Sequence, residues 1–324
     1  MISKDDINMF EEIFWHELES WFSSEIACCD ECYDDFLSIW PHAYSADNAT
    51  FQKSSIDLDS FYSGSYLRDT FTKEQFDELI RHILCPRCGA SLQANIWPYN
   101  FPFTVPDDIE RSIQELGKIA KSTPFLLLNH PFAKETFEML TNISKTIQPT
   151  QLKEYLYRAR LVGADVKESP TCFQPPPKDR TTEGRYNHAG NPVLYLASDL
   201  ETCHSEMRMK TCIIAEIQII KPLTILDLVD SEKSHEDFYN ALSSLCYSAL
   251  TSAKQSSEGW HKPEYVFSRF VADCCRQAKI QAIQYPSTRM TKQSFNLVII
   301  DENFSFLKDA CIKSYINKSE VTRK

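Results

Sequence analysis

The chain has 324 residues, 43% of them hydrophobic and 24% charged, with a net charge of −11; this is an ordinary globular composition, long enough for two domains. No run of 18 apolar residues occurs, and Met1 to Asp6 lacks the basic start and apolar core of a secretory leader, so a cytoplasmic protein without a membrane partner is expected. Residues 1–60 hold fourteen acids against two lysines, a balance of −12, and so acidic a lobe repels phosphate backbones and argues against nucleic-acid binding.

Twelve cysteines in a long chain without an export signal read as reduced thiols rather than a disulfide framework. Cys203, Cys212, Cys246 and Cys274 fall in apolar helix or strand patterns and are expected in the core.

Residues 5–26 carry an apolar stripe at helical spacing, Ile7, Phe10, Ile13, Phe14, Leu18, Trp21 and Phe22, on an acidic background. Cys28-Cys29-Asp30-Glu31-Cys32 follows, and Cys85-Pro86-Arg87-Cys88-Gly89 comes 53 positions after Cys32. A Cys-x-x-Cys turn with a following glycine lets two thiolates face one metal, so Cys29, Cys32, Cys85 and Cys88 are expected to form a four-thiolate zinc site, with Cys28 or His82 as substitute ligands. Four thiolates leave no open coordination position, so such a zinc is structural.

Between the pairs, Tyr44 to Ser65 is rich in Ser, Asp and Asn and reads as a loop, and residues 73–84 read as a helix. A proline-rich passage over 97–106 precedes helices at 107–121 and 133–146, and a boundary is expected near Gln148-Pro149-Thr150. The expected division is therefore a mostly helical, zinc-bearing domain over 1–149 and a second domain over 150–324.

The second part alternates strands (153–161, 193–197, 212–220, 224–228, 281–285, 295–301, 310–316) with helices (199–209, 235–253, 263–278), in a mixed order that predicts an α+β fold. No Gly-x-Gly-x-x-Gly or Walker-type loop appears. Its richest window is 183–208, Glu-Gly-Arg-Tyr-Asn-His-Ala-Gly-Asn-Pro-Val-Leu-Tyr-Leu-Ala-Ser-Asp-Leu-Glu-Thr-Cys-His-Ser-Glu-Met-Arg. Only seven glycines occur in the chain, yet Gly184 and Gly190 flank Arg185 and Asn187. A glycine kept there implies a sharp turn or a close approach to a ligand. Val193 to Ala197 reads as a buried strand and Asp199 as the N-cap of a helix that buries Leu200, Cys203 and Met207 and carries Glu206 on its flank.

Gly184-Arg185-Tyr186-Asn187, Gly190, Leu194-Tyr195-Leu196-Ala197 and the Glu-Thr-x-x-x-Glu-x-Arg of 201–208 resemble the core of the RES domain, named for its arginine, glutamate and serine. Leu156 to Arg160 resembles the family's opening strand, Phe173 and Pro175-Pro176-Pro177 its proline loop, Leu223 to Leu228 the strand after the glutamate, and Tyr285-Pro286-Ser287 with Phe295 to Val298 its closing serine motif. Where relatives often carry Pro-Thr-Gln, this chain has Phe267-Ser268-Arg269, and Ile283-Gln284-Tyr285 lacks a preceding glycine.

The resemblance, over about residues 153–302, implies an ADP-ribosyltransferase-like split mixed sheet with a pocket for NAD, and a toxin or defence effector that consumes it. Glu206 matches the family's glutamate, which bonds the ribose and faces the positive charge of the breaking glycosidic bond. Arg185 and Arg158 match its arginines, suited to the diphosphate; Tyr195 borders the nicotinamide, Ser287 orients Glu206, and Asn187 shapes the loop. The acceptor is left open: water or phosphate for a glycohydrolase or phosphorylase, a protein for an ADP-ribosyltransferase. An antitoxin or immunity protein is the implied partner, and a homo-oligomer is allowed. His188, His204 and His261 read as surface or capping residues. The reading of another class is a non-enzymatic, zinc-stabilised binding module.

Overall fold

The computed structural model describes residues 3–22, 26–41, 55–99, 101–163, 166–252, 263–287 and 294–319. The side chains of residues 21, 22, 26, 27, 252 and 263 lie outside that description, as does His261. Backbone contacts divide the chain into two compact units, Met1–Val105 and Pro106–Lys324.

In the first unit, helix α1 (Lys4–Phe22) turns its Phe10, Phe14 and Leu18 into the core, where Phe10 meets Phe71 and Phe76 edge-on and Phe14 meets Phe61. Such edge-to-face pairs add about 0.5–1.5 kcal/mol each beyond area burial. Strand β1 (Ile26–Cys29) leads to α2 (Tyr33–Ile39); β2 (Ile56–Asp57), α3 (Leu58–Gly64), α4 (Leu67–Thr70) and α5 (Lys73–Leu79) follow, and β3 (Asn95–Tyr99) completes an antiparallel sheet in the order β1-β3-β2.

The loop expected over Tyr44 to Ser65 is thus partly structured in its described portion. Asp57 accepts from the Ser60 N–H and caps α3, and Leu58 and Phe61 are fully buried. Small polar residues hid a helix that two apolar side chains and one cap suffice to hold.

In the second unit, α6 (Ile109–Ser122) and α7 (Pro131–Thr146) precede strand β4 (Leu156–Leu161). Short helix α8 (Pro170–Phe173), β5 (Leu194–Ala197), α9 (Leu200–Glu206), β6 (Cys212–Ile219), β7 (Ile225–Asp227), α10 (Ser231–Ser234), α11 (Tyr239–Tyr247), α12 (Ala249–Ser252), α13 (Val266–Gln277), β8 (Ala282–Pro286), β9 (Phe295–Ile299), α14 (Phe306–Asp309) and β10 (Ala310–Lys318) follow. Helices α6 and α7, which stand before the boundary expected near Thr150, pack against α13 in this unit.

Seven strands form one sheet, β10-β6-β4-β5-β9-β8-β7, with β7 and β8 parallel and every other pair antiparallel. The expected α+β architecture with a mixed sheet is present. Alternation sorts the side chains between its faces: Leu194, Leu196, Ile217, Leu297 and Ile299 build one core with Phe173, while Ala159, Ala197, Cys203 and Ile214 pack beneath Leu200 and Met207 of the α9 region on the other. β4 and β5 share a single register pair, Tyr157 with Ala197. Where they separate, the sheet offers backbone groups without strand partners, and the site described next occupies that place.

Candidate functional site

A cavity of about 540 Å³ is lined by β4, the 176–187 loop, β5, α9 and the residues Tyr265, Tyr285 and Asn296. Five arginines, Arg158, Arg160, Arg180, Arg185 and Arg208, face it against two carboxylates, Glu183 and Glu206.

Arg158 sits at the divergence of β4 and β5. Its Nη1 donates to the Tyr195 carbonyl at 2.8 Å, a role a strand neighbour would otherwise take. Its Nη2 reaches the Gln174 carbonyl at 3.5 Å, where the Nη2 of Arg160 also donates at 2.8 Å. The side chain is 7% exposed, and its buried Nε–H finds no acceptor among the described residues. Burial, then the charge of Arg160, pulls its pKa down to about 9, so at neutral pH it stays a desolvated cation.

Arg185 is carried by a tightly held turn. Gly184 N–H donates to the Asn187 carbonyl. The Asn187 Nδ2 donates to the Thr182 and His188 carbonyls at 2.9 and 3.0 Å. The Tyr195 hydroxyl accepts from the Tyr186 N–H at 2.9 Å and donates to the Asn187 Oδ1 at 3.0 Å. A Cβ at Gly184 would collide with the Asn187 Oδ1 and lie 2.8 Å from the Tyr195 hydroxyl. The close approach read from this glycine is therefore to the protein's own side chains. Gly190, by contrast, is kept by its φ of +79°.

From α13, the Ser268 hydroxyl donates to the Arg185 carbonyl at 2.6 Å, and Arg269 lies 3.3 Å from the Glu183 carboxylate. The Arg185 guanidinium is over the rings of Tyr265 and Tyr285, at 5.6 and 5.5 Å, in cation–π contact that replaces part of its hydration. Burial lowers the Arg185 pKa, but the rings of Tyr186, Tyr285 and Tyr265 and the Glu206 charge outweigh it and hold it above the ordinary arginine value.

Glu206 ends α9, whose Asp199 N-cap accepts from the Thr202 N–H at 2.8 Å, as the sequence predicts. Its Oε1 accepts from the Ser287 hydroxyl at 3.3 Å and from the Asn296 Nδ2 at 3.1 Å. Asn296 stands opposite both Ala197 and Tyr285 in the sheet register, so two neighbouring strands fix the donor that aims the carboxylate.

The structure brings Arg158, Arg185, Asn187, Tyr195 and Glu206 to one cavity, with Ser287 on Glu206. Asn187 and the Tyr195 hydroxyl are occupied with each other. Sequence reasoning gave no site role to Tyr265, Ser268 or the cavity-lining Arg160, Arg180 and Arg208, nor to Tyr285 and Asn296, which it placed only within the closing motif. The register partner of Ala197 was a signal for Asn296, but strand pairing is not readable from one sequence. Of the histidines, His188 lies 2.8 Å from Asp273 on the surface, while His204 is buried and its Nε2 meets the Lys210 carbonyl at 3.1 Å, closing the end of α9.

In the first unit, the Sγ atoms of Cys29, Cys32, Cys85 and Cys88 all lie within 4.8 Å of one another; Cys29 to Cys88 is 3.5 Å, Cys32 to Cys85 3.7 Å and Cys29 to Cys32 3.9 Å. A disulfide needs about 2.05 Å, whereas thiolates about 2.3 Å from a tetrahedral zinc stand roughly 3.8 Å apart. The second pair turns through Gly89 at φ +75°, with the Cys85 N–H on the Ala90 carbonyl at 2.7 Å. Burial pushes the Cys29 and Cys32 thiols up, a charging cost that a central cation offsets. The donor set fits a metal. The Cys28 thiol faces the Trp97 carbonyl at 3.8 Å, and neither it nor His82 is in the cluster. Cys203, Cys212, Cys246 and Cys274 are buried and form no disulfide among the described residues, as expected.

The RES domain model matches residues 155–317, just over half of the chain: the protein belongs to the RES domain family. Among solved structures it is similar to a chain in the crystal structure of the M. tuberculosis MbcT–MbcA toxin–antitoxin complex, at 15% identity and a TM-score of 0.38, over 56% of this chain and 93% of that one. No curated protein matches it.

Proposed function

We propose that this protein is an NAD-consuming enzyme that breaks the bond between nicotinamide and ribose. The observation that carries the reading is the Glu206 carboxylate, held by Ser287 and Asn296 at the rim of a cavity that five arginines also line.

In that cleavage the C1′–N bond breaks, its electron pair neutralises the nicotinamide ring, and positive charge develops on the ribose. A carboxylate bonded to the ribose hydroxyls and facing that charge stabilises the transition state more than the ground state. Water adds its oxygen to C1′ and releases a proton; phosphate or a protein nucleophile in its place gives the phosphorylase or the ADP-ribosyltransferase. Arg158, a desolvated cation in the cavity wall, and Arg185 would hold the diphosphate by charge, and Tyr195 would border the nicotinamide through its ring. Breakdown of free NAD is the preferred outcome. It would be toxic, which fits a cytoplasmic toxin or defence effector restrained by an antitoxin or immunity protein.

Zinc is the metal proposed for Cys29, Cys32, Cys85 and Cys88. Its role is structural, because four thiolates complete the coordination.

The test is NAD loss and nicotinamide release by the purified protein, with and without phosphate, beside Glu206→Gln at equal thermal stability. Loss in the wild type alone supports the reading, and the phosphate dependence names the acceptor. No loss with either protein, even with cell lysate as acceptor, rejects it.

A further inference from the structure

One residue that sets the charge of the cavity lies outside it. Glu183 lines the cavity two positions before Arg185. Its side chain is largely covered, at 16% exposure, and its Oε2 lies 3.3 Å from the Arg269 Nη1. Arg269 is itself 3% exposed and forms no part of the cavity wall. A buried ion pair adds little stability over an apolar pair of the same size, whereas removing one partner leaves the other as a buried charge without its counterion. The partner left behind here would be a carboxylate, in the wall of a cavity that five arginines otherwise suit to anions.

The pairing is held by the geometry of one helix. Tyr265 stands at the N-cap of α13, and Ser268 and Arg269 follow in its first turn. Spacings of three and four residues place all three on one face of the helix, and that face meets residues 183–185 at three points. The Tyr265 ring lies 5.6 Å from the Arg185 guanidinium. The fully buried Ser268 hydroxyl donates to the Arg185 carbonyl at 2.6 Å, and Arg269 faces the Glu183 carboxylate. The helix thus sorts the two opposite charges of the turn. The carboxylate is drawn back towards α13, while the guanidinium rests against rings that take its face and none of its N–H donors.

We propose that Arg269 is a positioning residue for anion binding: by holding the Glu183 carboxylate against α13, it keeps Arg185 available to the phosphate groups of the ligand. This rests on the reading that Arg185 holds the dinucleotide diphosphate. Glu206 is set by Ser287 and Asn296 and not by α13, so the effect falls on binding and leaves the step at the glycosidic bond unchanged.

The experiment is a double-mutant cycle in the full-length protein: wild type, Arg269→Gln, Glu183→Gln and both together, each with kcat and KM for NAD, ADP-ribose affinity by calorimetry and melting temperature. Arg269→Gln is expected to raise KM and the ADP-ribose Kd by about tenfold with kcat within about twofold, and to change none of them by more than about twofold in the Glu183→Gln background. An equal loss in both backgrounds, a loss in kcat in place of affinity, or a coupling seen in melting temperature alone overturns the proposal. Should Arg269→Gln fail to fold, Arg269→Lys replaces the fork by a point charge. A KM raised by it in the wild-type background and not in the Glu183→Gln one then supports the proposal, and any other pattern overturns it. If the wild type consumes no NAD, the cleavage reading fails by itself and the ADP-ribose affinities decide the present one; no binding by the wild type overturns it.

Discussion

The two units each gather one kind of charge-bearing group around a centre, and they do so with opposite chemistry. Four thiols of the first unit converge within 4.8 Å, and a thiol can remain protonated until a metal arrives. Five guanidiniums line the cavity of the second, and a guanidinium has no accessible neutral form at physiological pH. A thiol has a neutral form and a guanidinium has none, so the arginine cavity carries its charge at all times. Its architecture has to tolerate that charge through carbonyls, tyrosine rings and water.

This contrast is sharpest in what the loss of one group should do. Cys85→Ser should have the largest effect: bound zinc falls from one per chain to none, and the first unit's melting transition is lost or moves down by tens of degrees, because structural zinc supplies about 10 kcal/mol or more to such sites. Metal analysis beside calorimetry checks it, and an unchanged melt without zinc would reduce the cluster to four ordinary thiols. Glu206→Gln should leave the melt in place and lower NAD turnover by about 10²–10³-fold, the scale of removing one transition-state contact. A loss of fold instead would make Glu206 a structural residue.

Between these extremes lies Gly184→Ala, whose new methyl would collide with Asn187 and crowd Tyr195. It should cost about 1–3 kcal/mol in stability and raise KM with it, since the same turn carries Arg185. Smallest is Asn296→Ala. It removes the Nδ2 donor on the Glu206 Oε1, and about tenfold in kcat with little change in KM is expected, the magnitude of one hydrogen bond to a charged group.

The same contrast explains what was legible in the sequence. Cys85-x-x-Cys88 with Gly89 is a local device: three residues and a glycine turn bring two thiols to face one point, so spacing alone announces the cluster. Arg185, Tyr195 and Glu206 were legible through the resemblance of an ordered run of motifs, and the Asp199 cap through local chemistry. Asn296 was not, because its meaning lies in facing Ala197 and Tyr285 across strand register. Nor was the role of Phe267-Ser268-Arg269, a departure from the usual family segment. Its Ser268 and Arg269 reach back more than eighty residues to the Arg185 carbonyl and to Glu183, a contact that no pattern along the chain encodes. Likewise, the packing of α6 and α7 against α13 is a long-range fact, invisible to composition.

Arg158 has one more consequence. A cation 7% exposed, with an Nε–H that finds no acceptor among the described residues, carries a desolvation cost that an anion bound in the cavity would offset through its charge. A ligand present at a hundred times its dissociation constant adds about 2.7 kcal/mol to the stability of whatever binds it. The proposed substrate is then also the protein's own stabiliser. If the proposed reaction drains the dinucleotide pool, that added stability falls with it, so the melting temperature of the protein should track the dinucleotide concentration.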